Sequence, residues 1–206
     1  DHHKPDAFLL ENVKGLKGHD SGRTLKIILQ TLNKLNYQSI NIDVLNTKHF
    51  GLPQNRERLF IVGFKDFLNF KFPDPHNSKT RLGNILHKKA ASKLTISDKL
   101  WDSHQKRKKR NKEMGRGFGY SSFNRESEYT STISARYYKD GSEILIEQKD
   151  KNPRMLSPRE AARLQGFPED FKIVVSNGQA YKQFGNSVSV PVIKAIAKEM
   201  LKTMKI

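Results

Sequence analysis

The chain has 206 residues, of which 38 are Lys or Arg and 21 are Asp or Glu, so its formal net charge at pH 7 is +17. This excess of positive charge predicts a polyanionic partner, with nucleic acid as the first candidate. The mean hydropathy of −0.71 and the lack of any apolar run near the roughly 20 residues of a membrane helix exclude a membrane-spanning protein, while the absence of cysteine excludes disulfides, thiolate metal sites and a cysteine nucleophile within this chain.

The first third of the chain has an α/β pattern. Short apolar runs alternate with one segment whose leucines and isoleucines recur at helical spacing. This order of elements is typical of an α/β fold. In chain order, the pattern predicts a buried strand at Ala7–Leu10, a helix at about 22–36 capped by Ser21, and strands at 40–44 and Leu59–Phe64.

The composition changes between about residues 70 and 153, where periodicity fades and Pro, Gly, Ser, Tyr and basic residues accumulate. We predict an irregular insertion built mostly of loops or β-structure, with strand candidates at Thr130–Tyr138 and Glu143–Glu147. Six of the seven residues from Lys106 to Lys112 are basic. Such a run is usually a disordered, solvated stretch, and contact with a nucleic-acid backbone is the alternative.

Regular structure is predicted again from Ser157 onward. Ser157, Pro158 and Glu160 have the spacing of a capping box with Pro at the first helical position, and Gly166 is placed to end the short helix. After Ser189, apolar residues recur on one face up to the end of the chain, which predicts an amphipathic terminal helix.

Two groups of polar residues have the chemistry of a site. Glu11 follows the first predicted strand, where open α/β sheets bind ligands. Its carboxyl group suits protonation of a ring nitrogen; the alternative is a turn carboxylate that caps backbone amides, with Asn12 as a plain turn residue. Gln54, Arg56 and Arg58 alternate along an extended segment and so would share one face. They suit phosphate or base-edge contacts, or else form an exposed charged strand edge.

The order of these motifs is more specific than any one of them. Leu10–Val13, Gln54–Arg58, Arg154–Pro168 and Gly185–Val188 resemble, in this order, the later blocks of the DNA (cytosine-5)-methyltransferases. The resemblance covers nearly the whole chain. Three further segments are similar to the Dcm-like branch of bacterial enzymes that act at short CC-GG-type sites, namely Gly117–Tyr120, Thr132–Ile146 and Gln179–Val188.

The resemblance implies roles for individual residues. Glu11 corresponds to the glutamate that contacts and protonates cytosine N3, Asn12 supports it, and Arg58 corresponds to the arginine that holds cytosine O2. Gln54 and Arg56 organise the loop and the nearby phosphate. Asn186 and Ser187 belong to the block in which the chain comes back to the cofactor pocket. The cofactor is S-adenosylmethionine, and its product after methyl transfer is S-adenosylhomocysteine.

The resemblance also implies a recognition domain that contacts double-stranded DNA. The residues expected to contact DNA, in addition to Gln54, are Lys106, Arg107, Lys109, Arg110, Arg116, Tyr120, Arg136, Tyr137 and Tyr138. The aromatic residues among them are equally compatible with the core of a small domain. Arg159, Glu160, Arg163 and Gln165 match a block that braces the recognition region, and no metal site is expected.

Two parts of the family pattern have no match. The Pro-Cys nucleophile and the early glycine-rich cofactor loop are missing, so we expect this chain to be inactive alone. Because the chain starts at Asp1 rather than Met, we expect either a longer parent protein, whose N-terminal half is absent here, or a partner subunit that supplies the nucleophile. The alternatives are a non-catalytic, sequence-specific DNA-binding subunit or relic, and an RNA-directed relative of the family.

The predicted fold is the C-terminal part of a Rossmann-like methyltransferase domain with an inserted target-recognition domain. Residues 1–69 would form the second half of the catalytic domain, 70–153 the target-recognition domain, and 154–206 the return to the catalytic domain with the terminal helix. The expected context is a bacterial restriction-modification system in the cytoplasm, at the nucleoid.

Overall fold

A computed structural model describes residues 2–76 and 79–205 of the chain. Strands and helices alternate at first, and a longer, less regular segment follows before the C-terminal helices. In chain order the elements are β1 (Ala7–Val13), α1 (Arg23–Lys34), β2 (Ser39–Asn46), β3 (Glu57–Phe64), α2 (Asp98–Glu113), β4 (Ser122–Phe123), β5 (Leu145–Gln148), β6 (Lys151–Arg154), α3 (Pro158–Leu164), α4 (Asn177–Asn186) and α5 (Val190–Met204), with short 3-10 turns between some of them.

The chain forms two compact units, described here one at a time. The first contains the three-stranded sheet formed by β1, β3 and β2, together with α1 and nearly all of α5. The second contains α2, α3, α4 and the small sheet formed by β4, β5 and β6. The first unit is made of Asp1–Phe50, Arg56–Asn77 and Pro191–Ile206, and the second of Gly51–Asn55 and Ser78–Val190.

The sheet of the first unit has the order β1-β3-β2, and both outer strands are antiparallel to β3. One face is apolar along Leu9, Phe60 and Val62, and α5 packs on it with Val192 and Ile196 buried. The predicted strands and the amphipathic terminal helix are therefore present. β1 is longer than expected, because residues 11–13 continue to pair with β3 as far as Arg58.

The start of α1 differs from the prediction. The N-cap is Gly22, at φ +85°, and it has no side chain that could cap the helix. Ser21 itself has φ 54° and lies in a 3-10 turn before the helix. The assignment of Ser21 as the cap was wrong, because its left-handed backbone does not provide the extended conformation that a capping serine needs.

The second unit has a core of apolar residues from the loops and from α3 and α4, including Ile133, Tyr137, Leu156, Leu164 and Phe184. The short sheet adds Leu145 and Ile146 of β5, both buried. The segment from Arg154 to Val190 belongs to this second unit, whereas Pro191–Ile206 belongs to the first.

Two expectations for the inserted segment were wrong. The basic run lies in α2, a helix of 16 residues whose N-cap, Ser97, accepts a hydrogen bond from the Leu100 amide. Residues 130–138 do not form a strand: Thr130 makes an isolated bridge to Gln54, and a turn follows at residues 135–140. Residues 135–140 instead curl so that Tyr137 enters the core, with its amide bonded to the Ser134 carbonyl.

The capping box at the start of α3 is present as predicted. The Ser157 side chain accepts from the Glu160 amide, and the Glu160 carboxylate accepts from the Ser157 amide. Gly166, with φ +79°, follows the helix end in the left-handed conformation that favours glycine.

Among residues 2–76 and 79–205, no helix combines the length and the apolarity needed to cross a membrane. The same residues bring together no group of three or more His, Asp or Glu side chains suited to a metal ion.

Candidate functional site

Glu11 and Arg58 meet on the sheet of the first unit. Glu11 pairs with Phe60 and Arg58 with Val13 in the β1–β3 ladder, so the two charged residues are diagonal neighbours on one face. The Arg58 Nε lies 3.1 Å from the Glu11 Oε1, and the side chains of Arg58 and Glu11 are partly exposed, at 18% and 24%. Two residues distant in sequence therefore form one ion pair that solvent reaches.

The prediction placed Glu11 after the end of its strand, and this was wrong. Glu11 is the fifth of the seven residues of β1. Because side chains alternate along a strand, Asn12 points to the opposite face from Glu11. The Asn12 side chain accepts a hydrogen bond from the Val13 amide, 2.8 Å away.

Two arginines lie beside the carboxylate. Burial lowers the pKa of Arg58, and the neighbouring Glu11 opposes this effect. Burial and the positive charge of Arg58 lower the pKa of Arg56 to about 10, while Glu11 again raises it. Arg56 is 2% exposed and is still a cation at pH 7. The site therefore holds a carboxylate next to two arginines, one accessible and one buried.

Gln54 is a packed residue and not an exposed one. It belongs to the second unit, where its side-chain amide donates to the Leu164 carbonyl at 3.1 Å and its Oε1 accepts from the Ile133 amide at 3.0 Å. Its side chain is fully buried, so direct contact with DNA would require this network to open. Gln54 was expected to alternate with Arg56 and Arg58 along one extended segment, but β3 begins only at Glu57, after Gln54.

Asn186 and Ser187 lie at the C-terminal end of α4. Asn186 is exposed, and the Ser187 hydroxyl donates to the Phe184 carbonyl at 2.9 Å. The preceding Gly185 lies so close to the backbone of Ser134 and Ala135 that any Cβ would overlap with it. An amide and a hydroxyl at a tightly packed helix end fit polar contacts at the margin of a cofactor such as S-adenosylmethionine, but they do not form a complete cradle.

The residues proposed for DNA contact divide into exposed and packed groups. On α2, Lys106, Lys109 and Arg110 are exposed, whereas the Arg107 guanidinium donates to the Asp140 carboxylate at 3.1 Å and the Gly119 carbonyl at 2.9 Å. Arg107 thus ties α2 to two loops.

The aromatic candidates divide in the same way. Tyr137 is fully buried, and its hydroxyl donates to the Ile144 carbonyl at 2.7 Å. Burial raises the pKa of Tyr137 well above its ordinary value, which makes it a structural residue. Tyr120 packs edge-on to Trp101, with ring centres 4.9 Å apart. Tyr138, by contrast, is 38% exposed, and the remaining predicted contacts, Arg116 and Arg136, are exposed in loops.

The segment Arg154–Pro168 contains a buried ion pair that the sequence did not predict. The Arg154 guanidinium donates to both oxygens of the Glu160 carboxylate at 2.8 and 2.9 Å. The Ser157 and His87 amides complete the carboxylate's hydrogen bonds. This network is fixed by the capping box and by burial.

Comparison with known proteins gives one consistent family. The profile described as C-5 cytosine-specific DNA methylase matches residues 1–202. The Type II methyltransferase M1.ScrFI of Lactococcus lactis subsp. cremoris is 61% identical over 98% of this chain and 53% of its own length. The DNA-cytosine methyltransferase of Escherichia coli strain K12 is 40% identical over 96% of this chain and 50% of its own length.

The fold has solved counterparts. The structure of the Entamoeba histolytica methyltransferase EhMeth has a TM-score of 0.79 at 20% identity and covers 98% of this chain and 64% of that protein. The likeness shows a mixed α/β methyltransferase fold. The chain spans about half the length of the curated relatives it matches.

Proposed function

Because the chain belongs to the C-5 cytosine-specific DNA methylase family, we propose that it supplies the cytosine-contacting and DNA-recognising part of a DNA (cytosine-5)-methyltransferase. The whole enzyme would transfer a methyl group from S-adenosylmethionine to C5 of a flipped-out cytosine in a short duplex site. The names of the relatives as Type II methyltransferases support a role in a bacterial restriction-modification system. We further propose that the enzyme acts in the cytoplasm, at the nucleoid, where its DNA substrate lies.

The observation that carries this proposal is the Glu11–Arg58 pair, 3.1 Å apart and partly exposed. Addition of a nucleophile to C6 of cytosine increases the electron density at N3 and O2. A hydrogen-bonding acid at N3 and a cation at O2 therefore stabilise the transition state. Glu11 would take the first role after gaining a proton from solvent as the base replaces part of its contact with Arg58, and Arg58 would take the second.

The remaining groups of the site support these two residues. Arg56, buried beside Arg58 and Glu11, keeps a second positive charge near the carboxylate and orients it, so we assign it as a positioning residue. Asn12, whose side chain bonds to the Val13 amide, holds the end of β1. S-adenosylmethionine, when bound, supplies the methyl group, and Asn186 and Ser187 would contact it.

The nucleophile must come from outside these 206 residues, since they contain no cysteine. We propose that another segment, in the same polypeptide or in a partner subunit, carries the Pro-Cys nucleophile and the glycine-rich cofactor loop. The outer edge of β1 supports this arrangement. Among the described strands β1 pairs only with β3, and its Leu10 and Val13 are 42% and 54% exposed, as expected for a strand that another segment covers.

The test is transfer of labelled methyl from S-adenosylmethionine to unmethylated genomic DNA. The chain alone should show no transfer, and the chain co-expressed with a segment carrying Pro-Cys and the glycine-rich loop should show it. Sequence-specific DNA binding without activity in any such combination would identify a non-catalytic DNA-binding subunit. Transfer by the 206 residues alone would rule out the cysteine-dependent mechanism.

A further inference from the structure

One face of α2 carries a stripe of polar and charged side chains that the proposed reaction does not use. Lys99, Ser103, Lys106 and Arg110 are spaced by four, three and four residues, which places them on one side of a helix. With Asp102 and Arg107 they line an open groove of about 420 Å³. We call Lys99, Ser103, Lys106 and Arg110 the α2 stripe.

The opposite side of α2 is fixed to the second unit. His104 is 1% exposed, and its ring lies 3.1 Å from the Asp140 carbonyl. The Arg107 guanidinium adds hydrogen bonds to the Asp140 carboxylate and the Gly119 carbonyl. The Lys108 ammonium lies 4.2 Å from the centre of the Tyr120 ring. Anchored in this way, the helix cannot turn about its axis without breaking these contacts, so the stripe has a defined outward direction.

The cations of the stripe are uncommitted. Lys99, Lys106 and Arg110 are all exposed, and none forms a salt bridge with any residue that the structure describes. Arg107 is different, since it already bonds to Asp140 and Gly119. Asp102 is the single carboxylate of the groove lining.

Based on the proposed function, we propose that the α2 stripe binds the phosphate backbone of duplex DNA and reads no bases. Eleven positions separate Lys99 from Arg110, or about 16 Å at 1.5 Å per residue. Over that length one DNA strand presents about five phosphates, at 3.4 Å each along the axis. Two lysines, an arginine and a serine on a rigid helix suit phosphate oxygens, and contacts of this kind set register without carrying sequence information.

The experiment measures binding of the 206-residue chain to a fluorescein-labelled random-sequence DNA duplex by anisotropy across a range of NaCl concentrations. The variant combines Lys99→Gln, Lys106→Gln and Arg110→Gln. The plot of log K against log salt should lose about 2 to 3 units of slope, since each phosphate contact contributes about 0.9, and affinity at low salt should fall at least about tenfold.

Two further variants test the assignment. Lys26→Gln with Lys34→Gln and Lys198→Gln removes the same charge from exposed positions on α1 and α5, and it should change the slope by less than about 1 unit. Asp102→Asn should tighten binding severalfold, because it removes a negative charge from the groove. All variants should keep the wild-type circular dichroism spectrum, since these side chains are at the surface.

An unchanged slope in the stripe variant would overturn the inference, and so would an equal loss in the charge-matched control, which would indicate net charge alone. Tighter binding of transfer RNA than of duplex DNA through the same residues would also overturn it and favour an RNA partner. The assay needs no methyl transfer, so failure of the proposed reaction and failure of this binding surface give different results.

Discussion

Two arginine–glutamate pairs, one in each unit of the chain, have the same chemistry and opposite surroundings. Arg154 and Glu160 are 5% and 0% exposed, and backbone amides of Ser157 and His87 complete the carboxylate's hydrogen bonds. Arg58 and Glu11 are 18% and 24% exposed. The first pair is closed to any further ligand, and the second is open to one.

The contrast separates a structural ion pair from a candidate site. A buried carboxylate whose acceptor positions are all occupied holds structure together, because removing one partner leaves an uncompensated charge. A partly exposed pair beside a second, buried arginine contributes little to folding and can exchange its contact for a substrate. Changes at the two pairs should therefore affect different properties of the protein.

We expect the greatest loss of activity at Glu11. Glu11→Gln keeps the shape of the side chain but removes its acid function, so methyl transfer by the enzyme completed with a nucleophile-bearing segment should fall by about 100- to 10,000-fold. The free energy of unfolding should change by less than about 1 kcal/mol. Single-turnover transfer of labelled methyl and thermal unfolding measure the two quantities.

The matched control is Glu57→Gln on the neighbouring strand. Glu57 pairs with Lys14 at 2.9 Å and is 43% exposed, so this variant should keep both transfer and stability. If Glu57→Gln and Glu11→Gln reduced methyl transfer to a similar extent, the rate would depend on the negative charge near β3 and not on the acid function of Glu11.

The second effect is on stability. Glu160→Gln leaves the buried Arg154 guanidinium without its counter-charge, and the free energy of unfolding should fall by about 3 to 5 kcal/mol. Urea unfolding followed by Trp101 fluorescence measures it. Glu169→Gln serves as the control, because Glu169 pairs with Arg163 at 2.6 Å but is 64% exposed, and its midpoint should stay close to that of the wild type. A stable Glu160→Gln variant would contradict the bracing role.

The third and weakest effect depends on pH. Burial alone would raise the pKa of Glu160, but hydrogen bonds from Arg154 and from the Ser157 and His87 amides outweigh burial and lower it from its ordinary 4.5. A carboxylate of this kind stabilises the fold above the unfolded pKa, and the stabilisation is lost as the pH falls through the folded value.

The stability difference between wild type and Glu160→Gln should accordingly be constant from about pH 7 to about 5 and shrink below about 4.5. Unfolding curves at pH steps between about 7 and 3 measure it. A difference that stays constant over this whole range would show that the carboxylate is not stabilised in the folded state.

The sequence predicted the elements whose signals are local. The capping box at Ser157–Glu160 and the apolar periodicity of α5 depend on residues close together in the chain, and both are present. The chemistry of Glu11 and Arg58 was also predicted, but their diagonal pairing was not, because it depends on the β1–β3 register.

The parts that were missed are stabilised by polar or distant contacts. α2 has no apolar stripe, since the residue it buries is His104. The local signal that could have revealed this helix is the N-cap Ser97 followed by Asp98 in the first turn. The buried Gln54 side chain forms hydrogen bonds with the backbone of Ile133 and Leu164. These residues lie far from Gln54 in the sequence, so no local pattern predicts the contacts.

The close approach of Gly185 to the backbone of Ser134 and Ala135 limits which segments could replace the turn that follows. The turn that presents Arg136 and Tyr138 begins where α4 leaves no room for a side chain. Under the proposed function, a segment transplanted from a relative to change the recognised sequence would have to bring the same backbone path at 134–135, or α4 would be displaced. Such an exchange would be constrained at this junction and freer at the exposed Arg136 and Tyr138.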